Sequence, residues 1–595
     1  MTSSSPSARR GSTSRSGWRA LSRRKVDPTA FRCHDPRRAG TTHPEVAVTG
    51  THPESVTGPD MLTCGEAAMR LLAAYGIDTV FGIPGVHTLD FCRGLADGPI
   101  THVQVRNEQG AGFMADGYAR ASGRCGVALV ISGPGVTNAL TAIGQAWADS
   151  TPVLLLSSET DSSTHGRGWG CLHEIPDQPA VTAPLTALSA RANHPDDVPV
   201  LLAEAFGIFA TQRPRPVHLS IPIDVLAMPV DPEDPAWLPV SLPGRPGPDV
   251  EAIEEAADLL RGALRPIVMV GGGAVGATNA VRRLINRLGA VAVASNAGKG
   301  IVPSSHERNL DAATVRPEVR EFIATADVVV AIGTELAETD SFVEEMTLGG
   351  SLVRIDIDPS KMTDQHPADV GVVSDAEPAV EALLATLGDE RPHADVTVLA
   401  GEVAAIRDEI PRNLTASEEQ HARLLSALSA GLPAETIYYG DTCQLVYTGT
   451  FLLPLEEPGR WHYPTGYCTL GCGFPNAVGA KVARPDLPVV VLAGDGGVMF
   501  TVQELVTAAE LGLAIPLVIW DNGGLKQIQD DMHARSIPLV GVEGRNPDFV
   551  ALAESLGCHG TMATSLEHAV EAVNAGFAAD RPTVVVVREG EPWLV

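Results

Sequence analysis

A chain of 595 residues is too long for one hydrophobic core and has room for about three or four domains. Its hydrophobic fraction of 44% is that of ordinary globular protein, and its longest apolar runs, such as Pro488 to Ala493 and Thr583 to Val587, are far too short to span a bilayer. The net charge is −29 although the first 40 residues hold ten Lys or Arg against two Asp, so the remainder would repel nucleic acid, and no membrane partner is expected either. Nine cysteines form no CxxC pair and no zinc set, which points to a reducing, cytoplasmic setting.

Residues 1–58 are rich in Ser, Arg and Pro and lack apolar periodicity, the composition of a disordered tail. An Arg-rich, acid-poor start also fits an organelle transit peptide. From Met61 onward, strand-like and helix-like segments alternate. Thr79 to Gly82, Gly126 to Ile131, Val153 to Ser157 and Val217 to Ile221 read as short buried strands of a parallel sheet covered by helices. A Pro-rich linker, Met228 to Pro248, precedes a second alternating block with the strand Ile267 to Val270. A polar stretch, Gly388 to His393, precedes a third. The chain therefore divides into a tail (1–58) and three consecutive doubly wound parallel-sheet domains of the α/β class (59–228, 249–388 and 415–595).

The third block carries the strongest chemical signal. The apolar strand Pro488 to Ala493 runs into Gly494-Asp495-Gly496-Gly497. Twenty-four residues separate Gly496 from Asp521-Asn522-Gly523-Gly524, which follows its own strand, Ile515 to Trp520. A glycine turn after a parallel strand offers backbone N–H groups where anions bind. Asp495, the amide oxygen of Asn522 and the backbone carbonyl of Gly524 are few, hard oxygen donors, which is how Mg²⁺ is usually held beside a phosphate. A plain turn with a helix cap at Asp495 is the competing reading of GDGG alone; the second half at this spacing makes a diphosphate–metal clamp the better one.

Here the chain resembles the thiamine-diphosphate enzyme family, whose cofactor motif is GDG, some two dozen residues, then NN. Asp521 replaces the first Asn and leaves the metal-binding Asn522 in place. The resemblance runs from Met61 to the C terminus. It implies a pyrimidine-binding domain, a central Rossmann-like domain and a diphosphate-binding domain, with thiamine diphosphate and Mg²⁺ as cofactors. Asp441-Thr442-Cys443-Gln444 looks like the family segment that holds the diphosphate from the other side. Within Gly466 to Gly471, Leu470 would be the bulky residue beneath the bent cofactor, and the Cys468 carbonyl would accept from its pyrimidine amino group. The family pattern R-H-E-x-G-A reads Arg106-Asn107-Glu108-Gln109-Gly110-Ala111 here, followed by Ala115 to Arg120. Glu108 is thereby the expected catalytic acid, and the site is expected between subunits of at least a homodimer, commonly a homotetramer.

Gly271-Gly272-Gly273 after Ile267 to Val270 lacks a full GxGxxG, and Thr314-Val315-Arg316-Pro317 stands where the flavin-binding relatives have a Gly- and His-rich stretch, so FAD is not expected. Gly82 to Thr88, Leu172 to Gln178, Gly333 to Asp340 and Gly440 to Gln444 most resemble the 5-guanidino-2-oxopentanoate decarboxylases. That resemblance implies non-oxidative decarboxylation of a small 2-oxo acid with a cationic tail. Glu174, Asp177 and Asp521 are candidate partners for the tail, His87 and His173 candidate proton carriers. Lys526, beside Leu525 where Tyr-Gly is usual, places a cation that would disfavour such a tail. The alternative is an acetolactate synthase-type carboligase acting on pyruvate.

Overall fold

The computed structural model describes residues 61–96, 98–389 and 392–595. The tail expected over residues 1–58 lies outside them. The described chain is built on three parallel sheets, as the alternating pattern predicts. The first runs, edge to edge, Thr101–Gln104, Thr79–Gly82, Gly126–Val130, Val153–Glu159, Val217–Pro222 and Leu188–Arg191. The third runs Trp461–His462, Ile437–Gly440, Val489–Gly494, Pro516–Asp521, Thr583–Arg588 and His559–Met562. Numbered along the chain, both have the order 2-1-3-4-6-5. The middle sheet, Val291–Ala294, Pro266–Val270, Val328–Ile332, Ser351–Asp356 and Val370–Val373, has the order 2-1-3-4-5. The relation among the blocks is therefore one of topology, without a sequence repeat.

The central strands are runs of Val, Ile, Leu and Ala buried on both faces, the composition that doubly covered parallel sheets require. In the third sheet, Val490 and Leu492 face helix Gln444–Leu452, while Val489, Val491 and Ala493 face helices Gly473–Ala483 and Glu504–Glu510. Helix Val396–Glu409 turns Leu399 and Val403 into the core of the middle sheet. Helix Ala416–Gly431, started by a Thr415/Glu418 capping box, packs Leu424, Leu425 and Leu428 on the third sheet.

The first and third domains share one apolar core, in which Phe81, Met114 and Tyr118 meet Ile437, Tyr439 and Phe474. It forms where helix Glu108–Ser122 lies on helix Gly473–Ala483. The helices touch backbone to backbone: a Cβ on Gly117 would sit 1.9 Å from the Asn476 carbonyl oxygen, and one on Gly479 equally close to that of Met114. Asn107 caps the start of the first helix, accepting from the Gln109 N–H at 2.9 Å, and Gly123 in the left-handed region ends it.

Candidate active site

In an order of 2-1-3-4-6-5, the helices that follow strands 1 and 3 leave on opposite faces and open a crevice at the strands' carboxyl ends. In the third sheet those ends are Asp441-Thr442-Cys443, after Ile437–Gly440, and Asp495-Gly496-Gly497, after Val489–Gly494. Gly494 is in register with Trp520 on the adjacent strand, which sets Asp495 beside Asp521 and Asn522. Topology thus brings together the segments singled out from the sequence.

Asp495 is buried. Its Oδ1 accepts from the Gly496 N–H at 2.9 Å, and its Oδ2 from the N–H groups of Gly523 and Gly524 at 2.9 Å and from Asn546 Nδ2 at 2.6 Å. The Asn522 amide sits 3.2 Å from Asp495 Oδ1 and 3.1 Å from the Gly524 carbonyl oxygen, with its own oxygen facing these two acceptors. Turned over, its nitrogen would donate to both. In either orientation the Asp495 carboxylate, the Asn522 amide and the Gly524 carbonyl meet at hydrogen-bonding distance, and with the amide oxygen turned inward they are few, hard donors of the kind that hold Mg²⁺. The donor set therefore fits Mg²⁺. It contains no group of three or more His, Cys, Asp or Glu, nor does any other place among the described residues. Burial, with the Asp521 charge alongside, holds the Asp495 carboxyl above its ordinary value, a cost that a bound cation would relieve. Asn546 also donates to Asp521 Oδ1 at 2.8 Å, so one amide ties both carboxylates together. Nothing in the surrounding Gly544-Arg545-Asn546-Pro547 marks it in the sequence.

On the opposite wall Asp441 is wholly buried and satisfied by backbone. Oδ1 accepts from Thr442 at 2.8 Å and Gly471 at 3.0 Å, and Oδ2 from Gly473 at 3.0 Å. It fixes two loops at once, one bearing Thr442 and Cys443 and the other Cys468 and Leu470. A Cβ on Gly497 would lie 2.7 Å from Asp441 Oδ1, so the glycine turn and this carboxylate are in direct contact. Thr442 Oγ1 donates to the Thr469 carbonyl at 3.1 Å. Cys443 packs beside Gly494, and burial pushes its thiol up to about 12. Cys468 adopts a left-handed φ of 53°, uncommon for a residue with a side chain. Leu470 is half-buried rather than a core leucine, with its Cδ2 facing the Gly497 position at 3.6 Å.

The first sheet presents the same kind of edge. Glu108 follows strand 2, His87 follows strand 1, and Ser132 follows strand 3. Glu108 is half-buried in the single chain and accepts from Asn138 Nδ2 at 2.9 Å. Among the described residues, no hydrogen bond joins it to the loops bearing Asp495, Asn522 and Gly524. His87 Nδ1 lies 2.6 Å from Ser132 Oγ, and its ring meets that of His173 edge-on at 5.4 Å. Burial and the neighbouring His173 hold the His87 imidazole below its ordinary value. His173 sits at a left-handed φ of 61° with its Nδ1 buried and unpartnered. Gln178 anchors the floor, accepting from the Gly133 N–H at 2.8 Å and donating to Ser157, Ser158 and Ser220.

The carboxylates considered for a cationic tail are already engaged. Glu174 accepts three backbone N–H groups, from Gly168, Gly170 and Cys171, and organises its own loop. Asp177 caps helix Gln178–Thr182 and lies 3.6 Å from Arg191. Asp521 is bound by Asn546 and lies 3.6 Å from Arg588. Lys526 is paired with Asp530 at 2.6 Å on the same helix. In the middle domain the N–H groups of Gly271 and Gly273 donate to the Ile332 and Gly333 carbonyls, not to an open phosphate site.

Three models of the thiamine pyrophosphate enzyme match the chain: the N-terminal TPP binding domain over residues 62–181, the central domain over 253–383 and the C-terminal TPP binding domain over 441–587. A probable 2-ketoarginine decarboxylase, AruI, of Pseudomonas aeruginosa is 47% identical over 528 residues, covering 89% of this chain and 94% of that protein. The acetolactate synthase large subunit IlvB1 of Mycobacterium tuberculosis is 31% identical, covering 88% and 87%. Acetolactate synthase isozyme 3 large subunit of Escherichia coli is 32% identical, covering 84% and 89%.

Proposed function

Because the chain belongs to the thiamine pyrophosphate enzyme family, we propose that it decarboxylates 5-guanidino-2-oxopentanoate (2-ketoarginine) to 4-guanidinobutanal, with thiamine diphosphate held through Mg²⁺. The cofactor half of this reading is carried by Asp495, Asn522 and Gly524 meeting at the carboxyl ends of strands 3 and 4, beside the crevice. The substrate half is supported by the 47% identity to a probable 2-ketoarginine decarboxylase across nearly all of that protein.

When bound, thiamine diphosphate supplies the carbon nucleophile and electron sink that a 2-oxo acid needs to lose CO₂. The protein's part is to place it and to move protons. Asp495, Asn522 and the Gly524 carbonyl hold the metal. Thr442, Cys443, Gly494, Gly496 and Gly497 would line the diphosphate, Leu470 would support the rings, and the Cys468 carbonyl would accept from the pyrimidine amino group. Glu108, held by Asn138 at 2.9 Å, would be the residue that shares a proton with the pyrimidine nitrogen. One carbon leaves as CO₂, and one proton must reach the carbon that carried it. His87, coupled to Ser132, and His173, with its free Nδ1, are the carriers at that edge. The turnover needs no flavin.

Glu108 is assigned to a site completed across a subunit interface, in a homodimer or homotetramer, as the family resemblance implies. A cytoplasmic setting accords with eight cysteines, all free among the described residues. No helix among those residues is long and apolar enough to cross a membrane.

The deciding experiment is steady-state CO₂ release with thiamine diphosphate and Mg²⁺, comparing 5-guanidino-2-oxopentanoate with pyruvate. Higher kcat/KM for the guanidino acid, with an aldehyde product, is the expected result. Faster pyruvate turnover with a ligated product would instead support the carboligase reading, which the 31% and 32% identities to acetolactate synthases favour.

A further inference from the structure

Glu504 is wholly buried where the first and third domains meet, and no step of the proposed reaction uses it. It opens helix Glu504–Glu510, nine residues beyond Asp495. Its Oε1 accepts from the backbone N–H groups of Arg106 at 3.2 Å and Asn107 at 3.1 Å. Its Oε2 lies 3.2 Å from the Arg106 nitrogen and accepts from Thr507 Oγ1 at 2.8 Å. These are the two residues immediately before Glu108, and Asn107 is the cap of the helix that Glu108 begins. Gly110, one turn on, faces the same carboxylate, with its Cβ position 2.6 Å from Glu504 Oε1. Arg106 is further gripped through its guanidinium by Glu510, from the other end of the same short helix.

If packing alone were needed, an apolar side chain would fill this space without the cost of burying a carboxyl. The carboxyl is suited to something narrower: it satisfies donors that precede a helix and have no intrahelical partner. The same stretch of chain reaches the cofactor wall, for Thr501 Oγ1 donates to the Gly471 carbonyl at 2.5 Å, one residue past Leu470.

We infer that Glu504 is a positioning residue for Glu108: it pins the two residues from which Glu108 is launched and fixes that helix start against the third domain of the same chain. The inference rests on the catalytic reading of Glu108. A carboxylate misplaced by ~1 Å loses up to about 10²-fold in rate without any change in what it is.

The test uses the full chain with Glu504→Asp, Glu504→Gln, Thr507→Val and, as control, Glu108→Gln. Glu504→Asp withdraws the carboxyl by one methylene, whereas Glu504→Gln keeps an acceptor at full length. Three readouts are taken. They are kcat and KM, deuterium exchange at C2 of bound thiamine diphosphate by quenched NMR, and amide exchange over residues 105–112 in the protein free of cofactor. Glu504→Asp is expected to lower kcat and C2 exchange together by about 10²-fold, leave KM and cofactor Kd unchanged, and speed amide exchange over 105–112. Glu504→Gln is expected to restore most of kcat. Thr507→Val, which removes one bond to the carboxylate, is expected to show a smaller fall in the same two rates, and it serves if Glu504→Asp does not fold. C2 exchange at the wild-type rate in both Glu504→Asp and Thr507→Val overturns the inference, as does a loss confined to cofactor affinity. If Glu108→Gln loses C2 exchange while the Glu504 variant keeps it, the positioning role alone fails. If Glu108→Gln itself keeps exchange, the reading of Glu108 fails and the inference with it.

Discussion

Replacing Asp441 by Asn changes one atom and tests whether the cofactor crevice is held open by a single buried carboxylate. The amide oxygen can take the place of Oδ1 and keep the bonds from Thr442 and Gly471. The amide nitrogen must then face the Gly473 N–H, which now donates to Oδ2 at 3.0 Å. One charge-assisted bond is lost and one buried donor is orphaned, at a cost of about 1–3 kcal/mol. At 1.4 kcal/mol per tenfold, that is about 5- to 150-fold in an equilibrium constant. Because the two loops joined by Asp441 carry Thr442, Cys443, Cys468 and Leu470, the cost is expected in cofactor affinity. The assay is titration of the apoprotein with thiamine diphosphate at saturating Mg²⁺, followed by intrinsic fluorescence, with the melting temperature of the apoprotein measured in parallel. A Kd raised within the stated range is the expected outcome. An unchanged Kd together with an unchanged melting temperature would refute the reasoning, since an orphaned donor must be felt in one or the other.

Gly110→Ala forces a methyl group to within 2.6 Å of Glu504 Oε1, and overpacking of this kind costs about 1–3 kcal/mol; a lowered melting temperature is expected, and an unchanged one means the helix start is not clamped. Asn546→Ala frees both Asp495 and Asp521, and loss of such an outer partner is expected to raise the Mg²⁺ concentration needed for half-maximal activity by about 10- to 100-fold. Chelation with EDTA is expected to release thiamine diphosphate on desalting, and added Mg²⁺ to restore its retention; retention without any divalent cation would count against the clamp. Glu335 is pushed up by burial but carried down to about 2 by Arg213 and Lys361, joining the first domain to the middle one. A depressed carboxyl contributes stability above its unfolded value and loses it as pH falls through the folded one. The melting-temperature gap between wild type and Arg213→Met should therefore be present above pH 4.5 and close toward pH 2; a gap independent of pH in that window would show the pair is not coupled.

The sequence alone determined the central strands, because residues buried on both faces of a parallel sheet must be continuous apolar runs, and Val489–Gly494, Pro516–Asp521 and Val153–Glu159 are such runs. It also determined the spacing of Asp495 and Asn522, since each directly follows its own strand and the chain between them is one crossover. The half-exposed strands Thr101–Gln104 and Leu188–Arg191 were not legible, having no apolar run to mark them. Nor was the attachment of helix Val396–Glu409 to the middle domain, which depends on where Leu399 and Val403 find a surface.

Around the site the same division holds. Asp441, Asn546 and Glu504 act on groups 25 to 398 residues away or bridge carboxylates that meet only when strands pair, so no local pattern singles them out. Glu174 reads as a free acid in the sequence, and only the folded loop shows it holding three backbone donors, while Asp177 caps a helix through one. Covalent spacing fixes which residue ends each strand; what that residue's side chain is free to do is decided by hydrogen-bond partners that arrive from elsewhere in the chain.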